Sequence, residues 1–205
     1  AFRIPNTFRR LFSEGTFNAA FVPSYSSELA SGKERAQKFA NKIFNLLLIG
    51  LLLVVLVIEI FMPSFVFIIA PGFSDNSDKF DLTISLTRIT FPFLLFVSLS
   101  SFFSAILNSH NKFAVAAAAP IVLNIFLILI LIFQSYLNDD LVIYLSYAVT
   151  FAGIVQLIFL LFFLKKYYFP KITLNFKIDH RVKLFFKKLL PSIFSSGVTQ
   201  INILV

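Results

Sequence analysis

Long unbroken apolar runs alternate with short polar or charged stretches along this chain. The run over about residues 43–62 contains LLLIGLLLVVLVIEIF and is closed by Pro63. About 20 apolar residues suffice to cross a bilayer as a helix. Three further runs of that length follow, at about 86–107, 114–133 and 141–164. The second holds Pro92 and many serines, and the third holds Pro120 and Asn124. Residues 1–18 read as the end of another membrane helix. A last apolar run begins near Leu189, contains Pro191 and Gly197, and continues to Val205. Pro92, Pro120 and Pro191 fall near the beginnings of their spans, where proline is cheap, and also mark candidate bends.

The separating segments are polar. Residues 24–42 contain a Ser31-Gly32 turn, APGFSDNSDKFD and NDD (138–140) form acidic loops, SHNKF (109–113) is a tight connection, and 165–188 is strongly basic. The pattern predicts an all-α, polytopic transmembrane helix bundle. It has four complete or nearly complete spans flanked by two partial ones. Barrel strands would alternate apolar with polar residues, which these runs do not. The chain opens on Ala1 and ends on INILV inside an apolar run, and is read as an internal piece of a longer protein.

Composition reinforces this reading. Hydrophobic residues make up 58% of the chain and charged ones 14%, against about 25% charged in a soluble domain. The absence of cysteine excludes disulfides and thiolate metal sites. The 29 Phe with no Trp are taken as a bias of residue usage, without functional meaning. The net charge of +8 has a topological origin. Segments 24–42, 109–113 and 165–188 hold most of the lysines and arginines, whereas 72–82 and 138–140 carry five aspartates against one lysine. The two sets alternate along the chain, and the positive-inside rule places the basic set in the cytoplasm. The charge therefore requires no nucleic-acid partner.

Candidate chemistry concentrates in PNTFRRLFSEGTFNAAFVP, residues 5–23. Helical spacing of about 100° per residue puts Asn6, Thr7, Arg10 and Glu14 on one stripe, with Arg9 turned away from Arg10. Arginines at the end of a membrane helix commonly snorkel to headgroups. Arg3, about 10 Å further along the helix than Arg10, favours a cavity wall instead. Arg10 and Glu14 are spaced to pair. Polar residues within the spans include Ser98, Ser100, Ser101, Ser104, Asn108, Asn124 and Gln156, and the first reading of such residues is helix packing. Glu59 is read as interfacial. DHRVKLFFKKLL (179–190) is amphipathic and fits either a surface helix on anionic lipid or the entry to the last helix.

Signatures of catalysis are missing. His110 and His180 have no ligand spacing around them, and neither a phosphate loop nor a nucleophile elbow is present. No enzyme activity, metal or cofactor is expected.

PNTFRRLFSEGTFNAAFVP closely resembles the signature of the MurJ (MviN) lipid II flippases. Matches continue through APGFSD (70–75), KFDLTISLTRITFPFLLFVSLSS (79–101), AILNSHNKF (105–113), the AP and Asn of 119–124, and AVTFAGIVQL (148–157). The resemblance spans essentially the whole chain. It implies the fold of the MOP exporter superfamily, which includes the MATE exporters and has about fourteen membrane helices arranged in two lobes. Residues 1–205 would then run from within the second helix into the seventh, as a partial N-terminal lobe. The resemblance further implies a bacterial cytoplasmic (inner) membrane location, with lipid II and membrane lipids as partners. It gives Arg3, Arg9 and Arg10 a role in a substrate cavity and Glu14 a role at the cytoplasmic gate. An ion gradient or the membrane potential is the candidate driving force. The main alternative is an ion-coupled drug, solute or polysaccharide-lipid exporter of the same superfamily. Exporters of organic cations want acidic cavities, which Arg3, Arg9 and Arg10 argue against.

Overall fold

The structure is a computed structural model that describes residues 16–73, 76–133, 141–173, 179–189 and 191. Every regular element among them is helical. Seven α-helices are α1 (Thr16–Ala30), α2 (Lys33–Ile60), α3 (Met62–Ile69), α4 (Ser77–Thr90), α5 (Phe93–Ser109), α6 (Phe113–Ile132) and α7 (Leu141–Leu164). A 3-10 turn spans Pro71–Phe73, and residues 180–189 form an eighth helix, α8.

Four stretches are long and apolar enough to cross a membrane: Lys33–Ile60, Ser77–Ser109, Phe113–Ile132 and Leu141–Leu164. They correspond to the four runs read from the sequence, with two changes of boundary. α2 is 28 residues long, or about 42 Å at 1.5 Å per residue. That exceeds a hydrocarbon core of about 30 Å, so part of it, including the polar first turns, extends beyond the apolar layer. The polar segment 24–42 is thus mostly helix, and the connection shrinks to Ser31-Gly32. Gly32 sits at φ 132, ψ 143, a region that glycine enters without a Cβ penalty.

The second change lies upstream of Pro92. Asn76 caps α4, its side chain accepting from the Lys79 N–H at 3.0 Å. Helix therefore starts within the predicted acidic loop, and Asp78 in the first turn complements the helix dipole. Pro92 consequently falls in the middle of a 33-residue run and separates α4 from α5. Proline has no N–H to give the carbonyl four residues back. Beside this break, the Thr150 hydroxyl of α7 donates to the Ile89 carbonyl at 2.5 Å. Pro63 likewise does not end the first run. The helix pauses at Phe61 and resumes as α3 with Pro63 in its first turn, a position where the missing N–H costs little.

α5 is the centre of the bundle and packs against α1, α2, α6 and α7. Its buried residues, from Phe93 to Leu107, point in all directions, as expected of a helix at the centre of a bundle. α6 instead turns Ile121, Ile125, Ile128 and Ile132 outward, the composition of a lipid-facing surface. Gly153 of α7 allows a close approach to α5. A Cβ there would lie 2.7 Å from Phe93 Cδ2 and 3.1 Å from Phe96 Cβ.

Phenylalanine builds the core toward the α1–α2 turn. Phe17, Phe21 and Tyr25 stack along α1 at 5.3 and 5.6 Å. Phe102 of α5 meets Phe21 edge-on at 5.0 Å, and Phe185 of α8 meets Phe17 edge-on at 5.8 Å. Such pairs contribute about 0.5–1.5 kcal/mol beyond area burial. The phenylalanine content dismissed at the level of composition thus joins α1, α5 and α8. α8 itself buries Val182, Phe185 and Leu189 on this core and leaves Leu184 exposed.

Candidate functional site

The three basic segments gather at one end of the bundle. The Tyr25 hydroxyl of α1 lies 3.2 Å from His110 Nε2 in the α5–α6 turn. The His110 ring stacks on Tyr167, beyond α7, at 4.6 Å. Asn111 in this turn takes φ 60, and the Lys112 N–H reaches back to the Leu107 carbonyl at 2.9 Å. This is a left-handed helix termination that asparagine tolerates. Burial, then the charge of Lys33, pulls the His110 pKa down. Burial pushes the Tyr25 phenol up to about 12 and also raises Tyr168, with Tyr25 adding to the effect.

An asparagine pair closes the same end. Asn41 Oδ1 accepts from the Tyr168 hydroxyl at 2.7 Å and from the Lys171 N–H at 3.1 Å. One turn on, Asn45 Nδ2 donates to the Lys171 carbonyl at 2.9 Å and Oδ1 accepts from the Thr173 N–H at 2.9 Å. Two ion pairs hold α8 beside them: Lys42–Asp179 at 2.7 Å and Arg181–Glu28. Burial opposes ionisation of Asp179, but bonds from Lys42 and the Val182 N–H outweigh it and hold its carboxyl below the usual range.

Just inside this end is a cavity of about 350 Å³ among α1, α5, α6 and α7. Its polar lining consists of Asn18, Ser100, Ser101, Ser104, Asn108 and Gln156. The α5 members are spaced at helical intervals along one face. Ala116, Ala117 and Pro120 of α6 form the opposite, small-residue wall. Gln156 comes from the α7 face that Gly153 sets against α5, one turn away. None of the described lining residues carries a charge. Ser100 Oγ and Asn18 Oδ1 are buried without a hydrogen-bond partner, and Ser100 is 1% exposed. An unsatisfied buried polar atom costs about 1–3 kcal/mol.

The structure distributes the sequence-predicted residues unevenly. It brings Asn108 and Gln156 together at the cavity and leaves Asn124 on the exposed side of α6. Glu59 is half-buried, with Oε1 unpartnered. Arg3, Asn6, Arg9, Arg10 and Glu14 lie outside the described residues. Sequence reasoning missed Asn18, Asn41, Asn45 and the Tyr25–His110–Tyr167 contact. Only the i, i+4 spacing of Asn41 and Asn45, at the entrance to an apolar run, offered a signal.

Four stretches long and apolar enough to cross a membrane, with a polar cavity among α1, α5, α6 and α7, define a multi-pass membrane protein. A family model described as "Lipid II flippase MurJ" matches residues 1–205. The chain belongs to this MurJ family. It is 39% identical over 208 residues to a probable lipid II flippase MurJ of Rickettsia prowazekii (strain Madrid E) and 41% identical over 216 residues to that of Rhizobium tropici. Identity to the lipid II flippase MurJ of Burkholderia cenocepacia is 34% over 210 residues. Each match covers 100% of this chain and 39–41% of the relative. The chain therefore spans about two fifths of the length of these curated relatives.

Proposed function

We propose that this chain is the partial N-terminal lobe of a lipid II flippase, which moves the undecaprenyl-diphosphate-linked cell-wall precursor across a bacterial cytoplasmic membrane. The observation that carries the reading is the family match over residues 1–205. A cavity whose described lining includes amides and hydroxyls, inside the membrane bundle, supports it. The precursor head cannot cross hydrocarbon unaided, because its charges and amides would lose their water. A cavity lined by protein groups replaces that water, and rocking of one lobe against the other alternates access. Nothing in this scheme calls for catalysis or a cofactor.

In this reading Arg3, Arg9 and Arg10 face the substrate, with Glu14 at the gate. Arginine suits a diphosphate because its planar fork makes bidentate, charge-assisted bonds. The helical stripe of Arg10 and Glu14 continues at the same spacing to Asn18, which lines the cavity. The basic end is cytoplasmic by the positive-inside rule.

Complementation by the full-length protein in a flippase-depleted bacterium tests the proposal. The native protein is expected to restore growth. Arg9→Ala is expected to insert normally and fail, and Arg9→Lys to rescue poorly. Failure of the native protein at normal expression would overturn the flippase reading. Full rescue by Arg9→Ala would reduce Arg9 to a snorkelling anchor.

A further inference from the structure

We infer that residues 165–173, held against α2 by Asn41 and Asn45, form a ledge that binds anionic phospholipid of the adjoining leaflet. Lys165, Lys166 and Lys171 meet the headgroups, and Phe169 and Ile172 enter the edge of the hydrocarbon. The inference goes beyond the flippase reading, because it concerns the surrounding bilayer rather than the cargo.

The placement of the ledge carries the argument. Ile43, where the apolar run of α2 begins, lies between Asn41 and Asn45. These asparagines grip the backbone of Lys171 and Thr173 and the Tyr168 hydroxyl. Leu164, the last residue of α7, directly precedes the ledge. The ledge is therefore fixed at the level where two spans enter the apolar layer. Tyr168 is buried in the core, whereas Phe169 is 67% and Ile172 75% exposed. Ile172 sits between two residues whose backbone Asn45 holds, so its outward position is set by the fold. Single exposed apolar side chains are ordinary on a surface. Two large ones fixed at the edge of a hydrocarbon layer, with lysines beside them, have the make-up of an interfacial anchor.

Charge decides the kind of lipid. Lys165, Lys166 and Lys171 are all exposed. The Lys165 ammonium lies over the Phe162 ring at 4.3 Å. Phe162 is itself exposed on the last turn of α7, so this cation stands on the outward side of the span. Among the described residues of the three basic segments, twelve lysines and arginines face three carboxylates, Glu28, Glu34 and Asp179. Those three pair with Arg181, Lys38 and Lys42, and none of the pairs uses a lysine of the ledge. A lysine at a membrane surface favours anionic over neutral lipid by roughly fivefold. A zwitterionic headgroup offers no such gain. A soluble acidic peptide would match the lysines, but not their level at the entry of two spans.

The purified full-length protein in mixed micelles tests the inference. Phosphatidylglycerol and phosphatidylcholine are the probes, and native mass spectrometry counts the bound lipid. The native protein is expected to hold phosphatidylglycerol roughly tenfold more tightly than phosphatidylcholine. Lys165→Gln, Lys166→Gln and Lys171→Gln together are expected to abolish that preference. Phe169→Ser with Ile172→Ser is expected to weaken both lipids alike. Lys183→Gln with Lys187→Gln, on the exposed side of α8, is expected to change nothing. Asn45→Ala keeps every lysine but frees the ledge, and is expected to cut the preference several-fold. Thermal unfolding verifies each preparation, and the lysine variants alter exposed side chains only. A preference that survives the three ledge substitutions, or falls equally with the α8 pair, would overturn the inference. A fluorophore on a cysteine at Ile172, in a phosphatidylglycerol nanodisc, is expected to be shielded from a water-soluble quencher. Full quenching would give the surface to a soluble acidic partner and would likewise overturn it. These readings are independent of the cargo, so their failure leaves the flippase reading to the complementation test.

Discussion

Gly153 and Phe93 set the distance between α7 and α5. A Cβ on residue 153 would come within 2.7 Å of Phe93 Cδ2 and 3.1 Å of Phe96 Cβ. Phe93 is completely buried and has no room to swing aside. The contact also positions Gln156, one turn further along α7, at the polar cavity. Gly153→Ala is therefore expected to destabilise the bundle by about 1–3 kcal/mol, the usual cost of overpacking a filled core. Thermal unfolding of the detergent-solubilised full-length protein reads this directly. An unchanged melting temperature would mean that the helices separate freely at this point.

Thr150 supplies a hydroxyl to the Ile89 carbonyl beside the Pro92 break. Thr150→Val keeps the shape and removes the donor. The expected loss is about 1 kcal/mol, typical of hydrogen bonds between membrane helices. Thr150→Ser retains the donor and should recover most of it. A loss in the serine variant with none in the valine variant would assign the effect to packing of the methyl group instead.

His110 carries a pH dependence. Its folded pKa lies below the ordinary value of 6.5, first through burial and then through Lys33. The unfolded chain then binds more protons than the folded one, so stability rises with pH in that window. The contribution is complete above pH 6.5, declines as pH falls below it, and is gone once pH has passed through the lower folded value. His110→Gln is expected to flatten this part of the profile. Unfolding temperatures of both proteins between pH 7.5 and 5 make the comparison, and parallel curves would exclude His110 as the source.

Orientation follows from the clustering of basic segments. A cysteine at Ser31 is expected to be labelled by an impermeant reagent only from the cytoplasmic face, and one at Asn138 only from outside. The reverse pattern at either position would invert the topology.

The apolar runs made the four spans legible, because length and hydropathy alone determine which helices fit a bilayer. Their ends were less legible. The stretch 33–42 is polar enough to read as a loop, yet it continues α2 because Ala36, Phe39 and Ala40 bury one face against neighbouring helices. Pro92 was placed at a beginning because the Asn76 cap, which starts the helix 16 residues earlier, is a single hydrogen bond without hydropathic signature. The arginine stripe could be named from its motif, whereas the polar cavity could not. Ser100, Ser101, Ser104 and Asn108 share a face by spacing, but the same spacing serves helix packing. Only the small wall of α6 and the position of Gln156 turn that face into a lined space.

The asparagine clip has a consequence for the order of assembly. Asn41 and Asn45 bind residues 126 to 130 positions later in the chain, and Glu28 meets a partner 153 positions later. A chain made from its N-terminus presents the α1–α2 hairpin long before these partners exist. Until residue 173 has emerged, both asparagines stand at the mouth of an apolar helix with those hydrogen bonds unmade. The basic end is thus the last part of the bundle to close, and it closes with segments from opposite ends of the described chain.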